Sequence, residues 1–296
     1  MSLQNKLKGT GVALITPFTK NHEVDYSGLS NLVKHVIKGK CEYVVVLGTT
    51  GESVTLTKEE KIAVTSTVVK AAKGKVPVVL GVGGNNTQEV LHSLKTTDFT
   101  GIDAILSVSP AYNKPSQAGI IEHFKLVAKA SPVPVILYNV PGRTGSNMSP
   151  ATTLKIAREC KNVIAIKEAS GNVEQVMSII QHAPENFLVI SGDDGITLPL
   201  VAAGAVGVIS VVANAYPLAC SSMVRSALKN DFAKSRKFHY GFYGLIPMLF
   251  EEGNPAGVKV VLKQLGVCGD DVRMPLVKVS KDLEKRIHNY MKSYKG

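Results

Sequence analysis

A lysine, Lys167, closes the apolar stretch Asn162-Val-Ile-Ala-Ile-Lys-Glu-Ala-Ser-Gly-Asn172. Small and β-branched residues bounded by turn formers read as a buried strand, with the cation at its C-terminal end. Alternation places Val163, Ala165 and Lys167 on one face and Ile164 and Ile166 on the other. Small neighbours leave room for a long side chain. Burial favours the neutral form of an amine, which is the nucleophile that Schiff-base chemistry requires. A lysine that only snorkels out of a strand end fits this stretch equally well.

Three further groups could serve such an amine. Gly48-Thr-Thr-Gly-Glu52 offers the hydroxyls of Thr49 and Thr50 beside backbone donors, a receptor for a carboxylate or carbonyl oxygen, though such clusters are also ordinary turns. Tyr138, in Ile136-Leu-Tyr-Asn-Val-Pro-Gly-Arg-Thr-Gly145, ends the strand before that of Lys167. It could relay protons if the two strands are neighbours, or be a core tyrosine with a satisfied hydroxyl. Arg143 follows among turn residues, where a guanidinium can grip a carboxylate through two hydrogen bonds or simply face solvent. Other patterns do not close. Gly81-Val-Gly-Gly-Asn-Asn86 lacks the last glycine of a dinucleotide fingerprint. Asp193-Asp194 reads as a helix cap, since the seven histidines have no zinc-binding spacing. Glu122-His123 reads as a surface pair on a helix, and no Gly-x-Ser-x-Gly elbow is present.

The elements that must position these groups alternate along the chain. Apolar runs fall at Gly11–Ile15, Tyr43–Leu47, Val78–Val82, Ala104–Val108, Val135–Tyr138, Val163–Lys167, Leu188–Ser191 and Gly207–Ser210. Between them lie segments of helical period, such as Tyr26–Lys38, Thr57–Ala72, Ser116–Ala130, Thr152–Cys160 and Val173–Ala183. Thr57-Lys-Glu-Glu60 is a capping box, and Ser149-Pro150 puts proline at a first helical position. Eight such strands predict an α/β fold, a (β/α)₈ TIM barrel whose chemistry lies in the loops after the strands. A doubly wound sheet competes, but Gly11-Val-Ala-Leu-Ile-Thr-Pro17 offers no phosphate fingerprint. Past Leu228 the strand pattern stops, and Asn230–Glu252, Asn254–Leu265 and Val279–Tyr294 read as three helices. The expected division is a catalytic barrel over 1–228 and a C-terminal helical domain over 229–296.

Composition bounds the partners. Among 296 residues, 45% are hydrophobic and 19% charged, enough for a large core and too apolar for disorder. No apolar run reaches about 18 residues and no charged-then-apolar leader is seen, so neither a membrane span nor a secretory signal is expected. Cys41, Cys160, Cys220 and Cys268 lie far apart without metal-like spacing, which suggests reduced thiols in the cytoplasm. The formal charge of +11 raises the question of nucleic acid. Much of the excess, however, is Lys281, Lys285, Arg286, Lys292 and Lys295, around the apolar positions Leu283, Ile287, Tyr290, Met291 and Tyr294. That is a solvated helix face, and the charge suits anionic small substrates better than nucleic acid.

Six motifs in order carry a resemblance: Gly48-Thr-Thr-Gly-Glu52, Ser109-Pro-Ala-Tyr-Asn-Lys-Pro115, Tyr138-Asn-Val-Pro-Gly-Arg-Thr-Gly145, Ile166-Lys-Glu-Ala-Ser-Gly171, Ser191-Gly-Asp-Asp194 and Gly207-Val-Ile-Ser210. Together they resemble the dihydrodipicolinate synthase family, within the pyruvate-dependent class I aldolases that include N-acetylneuraminate lyase. The likeness runs from about Gly9 to Pro275. It implies a lyase of lysine (diaminopimelate) biosynthesis that joins pyruvate to L-aspartate 4-semialdehyde. The covalent Schiff base on Lys167 would stand in for any metal, nucleotide or other cofactor. By the same resemblance, Thr49, Tyr138 and Tyr112 match a proton relay, Tyr112 coming from the neighbouring subunit of a homotetramer built as a dimer of dimers. Thr49 and Thr50 match the holders of the pyruvate carboxylate, and Arg143 the receiver of the semialdehyde carboxylate. Gly192 and Ile209 match positions that line the pocket through their backbone.

Two departures qualify the likeness. Ala111 stands where the family commonly has a tyrosine that packs across the dimer, which bears on how Tyr112 is placed. A feedback site for L-lysine would map to Ser53, Val54, Lys58, Lys61, Asn85, Glu89 and Ala111. Lysine-sensitive relatives tend to carry histidines at the positions of Lys58 and Lys61, and two ammonium groups should repel a cationic effector. Within the superfamily, N-acetylneuraminate lyase or a 2-keto-3-deoxy sugar acid aldolase is the alternative. Arg143 speaks for the small carboxylated aldehyde.

Overall fold

The strands close on themselves. β1 (Gly9–Ala13), β2 (Tyr43–Val46), β3 (Val78–Gly81), β4 (Ala104–Val108), β5 (Val135–Asn139), β6 (Val163–Glu168), β7 (Leu188–Ser191) and β8 (Gly207–Ser210) form a parallel barrel in sequence order, and β8 pairs back onto β1. The computed structural model describes residues 2–294, so Lys295 of the basic helix lies outside the described residues. Closure leaves no unpaired sheet edge, and the (β/α)₈ fold is the one its sequence period predicts.

Helices Tyr26–Lys38, Lys58–Ala72, Thr87–Thr96, Gln117–Ala130, Pro150–Glu159, Val173–His182, Thr197–Ala202 and Pro217–Leu228 run between and after the strands. Their starts follow from local chemistry. Thr57 and Glu60 exchange bonds of 3.2 and 2.9 Å in the capping box, and Ser149 caps a helix with Pro150 in its first turn. Tyr26–Lys38 buries Leu29, Leu32, Val33 and Val36, a stripe of three- and four-residue spacing. Each such side chain contributes about 1.5–3 kcal/mol on leaving water.

One apolar layer lies between sheet and helices; the other fills the barrel, where Tyr43, Val45, Val79, Leu106, Ile136 and Ile190 meet and Leu7 is packed with them. Gly11 makes room for Tyr43, because a Cβ there would fall on the phenol ring. Strict alternation fails on β6. Val135 pairs with Val163 but Ile136 with Ala165, so β6 carries an extra residue at Ile164. Val163 therefore joins Ile166 in the outer layer, while Ile164 joins Ala165 inside.

His123 also departs from expectation. It is buried at 4% exposure, bonded to Thr87 Oγ1 at 2.9 Å and edge-on to Phe124, while Glu122 stays on the surface with Lys125. Position 123 shares the inward stripe of Ile120, Phe124 and Val127, which the residue type concealed. Burial pushes its imidazole down to about 4. All four cysteines are unpaired thiols, and burial raises each, that of Cys268 to about 12.

After the barrel come Phe232–Tyr243, Ile246–Phe250, Ala256–Gln264 and Lys281–Ser293. The first expected helix is thus interrupted at Gly244–Leu245, ahead of Pro247, which can neither donate to the preceding turn nor fit its carbonyl. Phe242, Leu249, Val258, Leu262, Leu283 and Ile287 belong to the same core as the barrel helices. No helix among the described residues is long and apolar enough to cross a membrane.

Candidate active site

Lys167 and Tyr138 are direct register partners on β6 and β5. Both are buried, at 6% and 7% exposure, and Lys167 Nζ stands 4.3 Å from the centroid of the phenol ring. Tyr138 and Ala165 lie in the inner layer, so the bulge at Ile164 still leaves Lys167 facing the barrel interior. The chain holds a second buried lysine, Lys259, which is paired with Glu52 at 2.6 Å. Among the described residues Lys167 has no carboxylate partner. A buried amine beside a phenol, without an anion, suits covalent chemistry better than stability.

Glu168 points the other way. Its carboxylate is buried and takes hydrogen bonds from Asn139 Nδ2 (3.0 and 3.2 Å), Ser170 N (2.7 Å) and Gln175 Nε2 (3.0 Å). Asn139 Oδ1 in turn accepts from Met148 N. These bonds tie the C-terminal ends of β5 and β6 together at the register pair that follows Tyr138 and Lys167.

Thr49 and Thr50 sit on a short 3₁₀ turn after β2, which in an eight-stranded ring lies opposite β6. The turn is fastened from several sides. Thr16 Oγ1 donates to Gly51 O at 2.7 Å, and Asn254 Nδ2 donates to Thr50 Oγ1 at 3.0 Å. Glu52 receives Lys259 Nζ and, at 3.0 Å, the backbone N–H of Arg273. Arg273 forks onto Glu60 at 2.6 and 2.7 Å, and Lys259 and Arg273 lie 4.3 and 4.5 Å from the ring centroid of Phe18. Burial pushes the Lys259 ammonium down, against the opposing pull of Glu52. Thr50 is buried by these contacts and Thr49 is exposed at the rim.

Gly192 follows β7, where a Cβ would lie 3.0 Å from Lys167 Cε and 2.6 Å from Ala169 Cβ. Ile209 lies on β8 in the inner layer. Behind it Asp194 accepts from Ser210 Oγ (2.5 Å), Val211 N (2.9 Å) and Val212 N (3.1 Å), while Asp193 caps the turn through Gly195 N. Burial raises the Asp194 carboxyl although these donors oppose it. Asp194 thus fastens the turn after β7 to the end of β8 while Asp193 caps that turn, and among the described residues no cluster of His, Cys, Asp or Glu is fit to hold a metal.

Other expected residues lie further out. Arg143 is exposed on the short helix Pro141–Thr144 after β5. Tyr112 is 88% exposed with φ of +70°, its N–H bonded to Thr144 O at 3.1 Å. Within one chain it is not joined to Lys167 and Tyr138. Val54, Lys58, Asn85 and Glu89 are exposed, and Ser53, Lys61 and Ala111 half-buried. Sequence reasoning passed over Asn139, Glu168, Asn254, Lys259 and Arg273. Asn254, a polar residue before a proline among helical segments, carried the one visible signal.

Residues 6–294 match the model of the dihydrodipicolinate synthetase family. A 4-hydroxy-tetrahydrodipicolinate synthase of Flavobacterium psychrophilum is 54% identical over 284 residues, 96% of this chain and 97% of the relative. That of Parabacteroides distasonis is 56% identical over 271 residues, 92% and 91% of the two chains. The crystal structure of dihydrodipicolinate synthase from Aquifex aeolicus superposes with a TM-score of 0.93 at 42% identity, covering 97% of this chain and 98% of that one. These relatives are synthases and not sugar-acid lyases.

Proposed function

The chain belongs to the dihydrodipicolinate synthetase family, and from that membership we propose that it condenses pyruvate with L-aspartate 4-semialdehyde through a Schiff base on Lys167. The observation that carries this reading is the buried Lys167 amine over the Tyr138 ring, without a carboxylate partner among the described residues. The amine adds to the pyruvate ketone, and loss of water gives an iminium. The positive nitrogen withdraws electrons, so the methyl group loses a proton to give an enamine. Its carbon attacks the aldehyde, and the amine of the second substrate then displaces Lys167 as the ring closes.

Thr49 and Tyr138 move the protons of these steps, joined by Tyr112 of a second copy. Support for that role of Tyr112 is its exposure and left-handed backbone, a conformation costly for a non-glycine residue. Thr50 holds the pyruvate carboxylate, Arg143 the semialdehyde carboxylate, and Gly192 and Ile209 wall the pocket. The working assembly is a homotetramer of two such dimers. In each chain a catalytic barrel (1–228) is braced by a helical domain (229–296) that fastens the Thr49–Glu52 turn. Borohydride reduction in the presence of pyruvate tests the proposal. A pyruvate-derived adduct on the peptide holding Lys167 is expected, and an adduct elsewhere would refute the assignment.

A further inference from the structure

Of the side chains from beyond the barrel that fasten the Thr49–Glu52 turn, one bonds to a threonine hydroxyl of that turn. Asn254, 8% exposed, gives its Nδ2 amide to Thr50 Oγ1 at 3.0 Å. A hydroxyl has one hydrogen to give and two lone pairs to offer. Once an amide donor occupies a lone pair, the hydrogen must be directed elsewhere, and Thr50 Oγ1 donates to no acceptor among the described residues. The rest of the turn is already immobilised by Thr16 on Gly51 and by Lys259 and Arg273 on Glu52. The remaining freedom at the turn's buried hydroxyl is its rotation, and Asn254 is the group that sets it.

We propose that Asn254 is a positioning residue for pyruvate binding: by donating to Thr50 it keeps the Thr50 hydroxyl a donor aimed at the keto-acid carboxylate. This rests on the reading that Thr50 holds that carboxylate. Asn254 Oδ1 is buried without a partner among the described residues, a free-energy cost that an apolar residue at 254 would not carry. Such a residue would lose the directing bond, leaving the hydroxyl free to turn away from the substrate.

The direction of the hydrogen bond makes the idea testable, because Asn254→Asp keeps the shape while converting the donor into an acceptor. The aspartate then takes the Thr50 hydrogen for itself. The expected result is a rise of about tenfold or more in KM for pyruvate, matching Thr50→Val, as for loss of a hydrogen bond to a charged group. KM for the aldehyde should be unchanged, and Asn254→Ala should move KM for pyruvate in the same direction. In the Thr50→Val background, Asn254→Asp should have no further effect, since sites acting through one interaction are not additive. If Thr50→Val leaves KM for pyruvate unchanged, the carboxylate reading fails and the inference with it. If Thr50→Val has its effect but Asn254→Asp binds pyruvate normally, only the role of Asn254 is overturned. A full additional loss in the double variant, from charge repulsion or misfolding, also overturns it.

Discussion

Gly192 packs against Lys167 and Ala169 across the β6–β7 junction, which leaves no room for a side chain at residue 192. A Cβ at residue 192 would come within 3.0 Å of Lys167 Cε and of Glu168 O, and within 2.6 Å of Ala169 Cβ. Neither the Glu168 carbonyl nor Ala169 is a flexible chain end, so the backbone at the β6–β7 junction must shift and carry Lys167 with it. Gly192→Ala should therefore lower kcat/KM by about 10²-fold, the cost of misplacing a reacting group by about 1 Å. Steady-state kinetics with pyruvate check this, and wild-type activity would mean the site tolerates that shift.

Tyr138 is the phenol closest in register to the amine. Tyr138→Phe keeps the ring beneath Lys167 Nζ and removes the hydroxyl alone. Turnover should fall by roughly 10²-fold or more, as for loss of a positioned proton donor, while the borohydride adduct on Lys167 still forms. Unchanged turnover would take Tyr138 out of the relay.

The buried ion pair between Glu52 and Lys259 fixes the Thr49–Thr50 turn. Lys259→Met leaves a carboxylate buried without its cation and should cost about 3–5 kcal/mol of stability. The double variant Glu52→Gln with Lys259→Met should recover part of that loss, because no unpaired charge remains. Urea unfolding measures both, and equal stability of Lys259→Met and wild type would dismiss the pair as a structural clamp.

His123 gives the fold an acid-sensitive component. Its folded-state value of about 4 lies below the ordinary 6.5, so the unfolded chain binds a proton that the folded chain refuses. Stability is present above pH 6.5 and is lost as pH falls toward 4, with a slope of up to about 1.4 kcal/mol per pH unit. His123→Gln should flatten unfolding free energy against pH over that window. An unaltered profile would show that other groups govern it.

Lys58 and Lys61 lie on one helix after the Thr49–Glu52 turn, where the resemblance predicts a lysine-feedback site, and each carries an ammonium group. L-lysine should inhibit weakly or not at all, and Lys58→His with Lys61→His should raise sensitivity to it by removing the two repelling charges. Potent inhibition of the wild type at micromolar lysine would contradict this.

The periodicity of the chain determined the eight strands and the helices between them, because burial demands are written locally in residue type and spacing. Lys167, Tyr138 and the Thr49–Thr50 turn stood out as candidates for the same reason: each is a polar group at or just beyond the end of an apolar strand. What the tertiary structure alone decided is how they are held. The bulge at Ile164 alters alternation before Lys167 without changing any residue type, and His123 is buried by a packing stripe that its polarity disguises. Asn254, Lys259 and Arg273 lie some two hundred residues from the turn they fasten, and contacts between segments so far apart leave no period in the sequence. Only the closed barrel, with its C-terminal helices packed on one shared core, brings those groups to the same mouth.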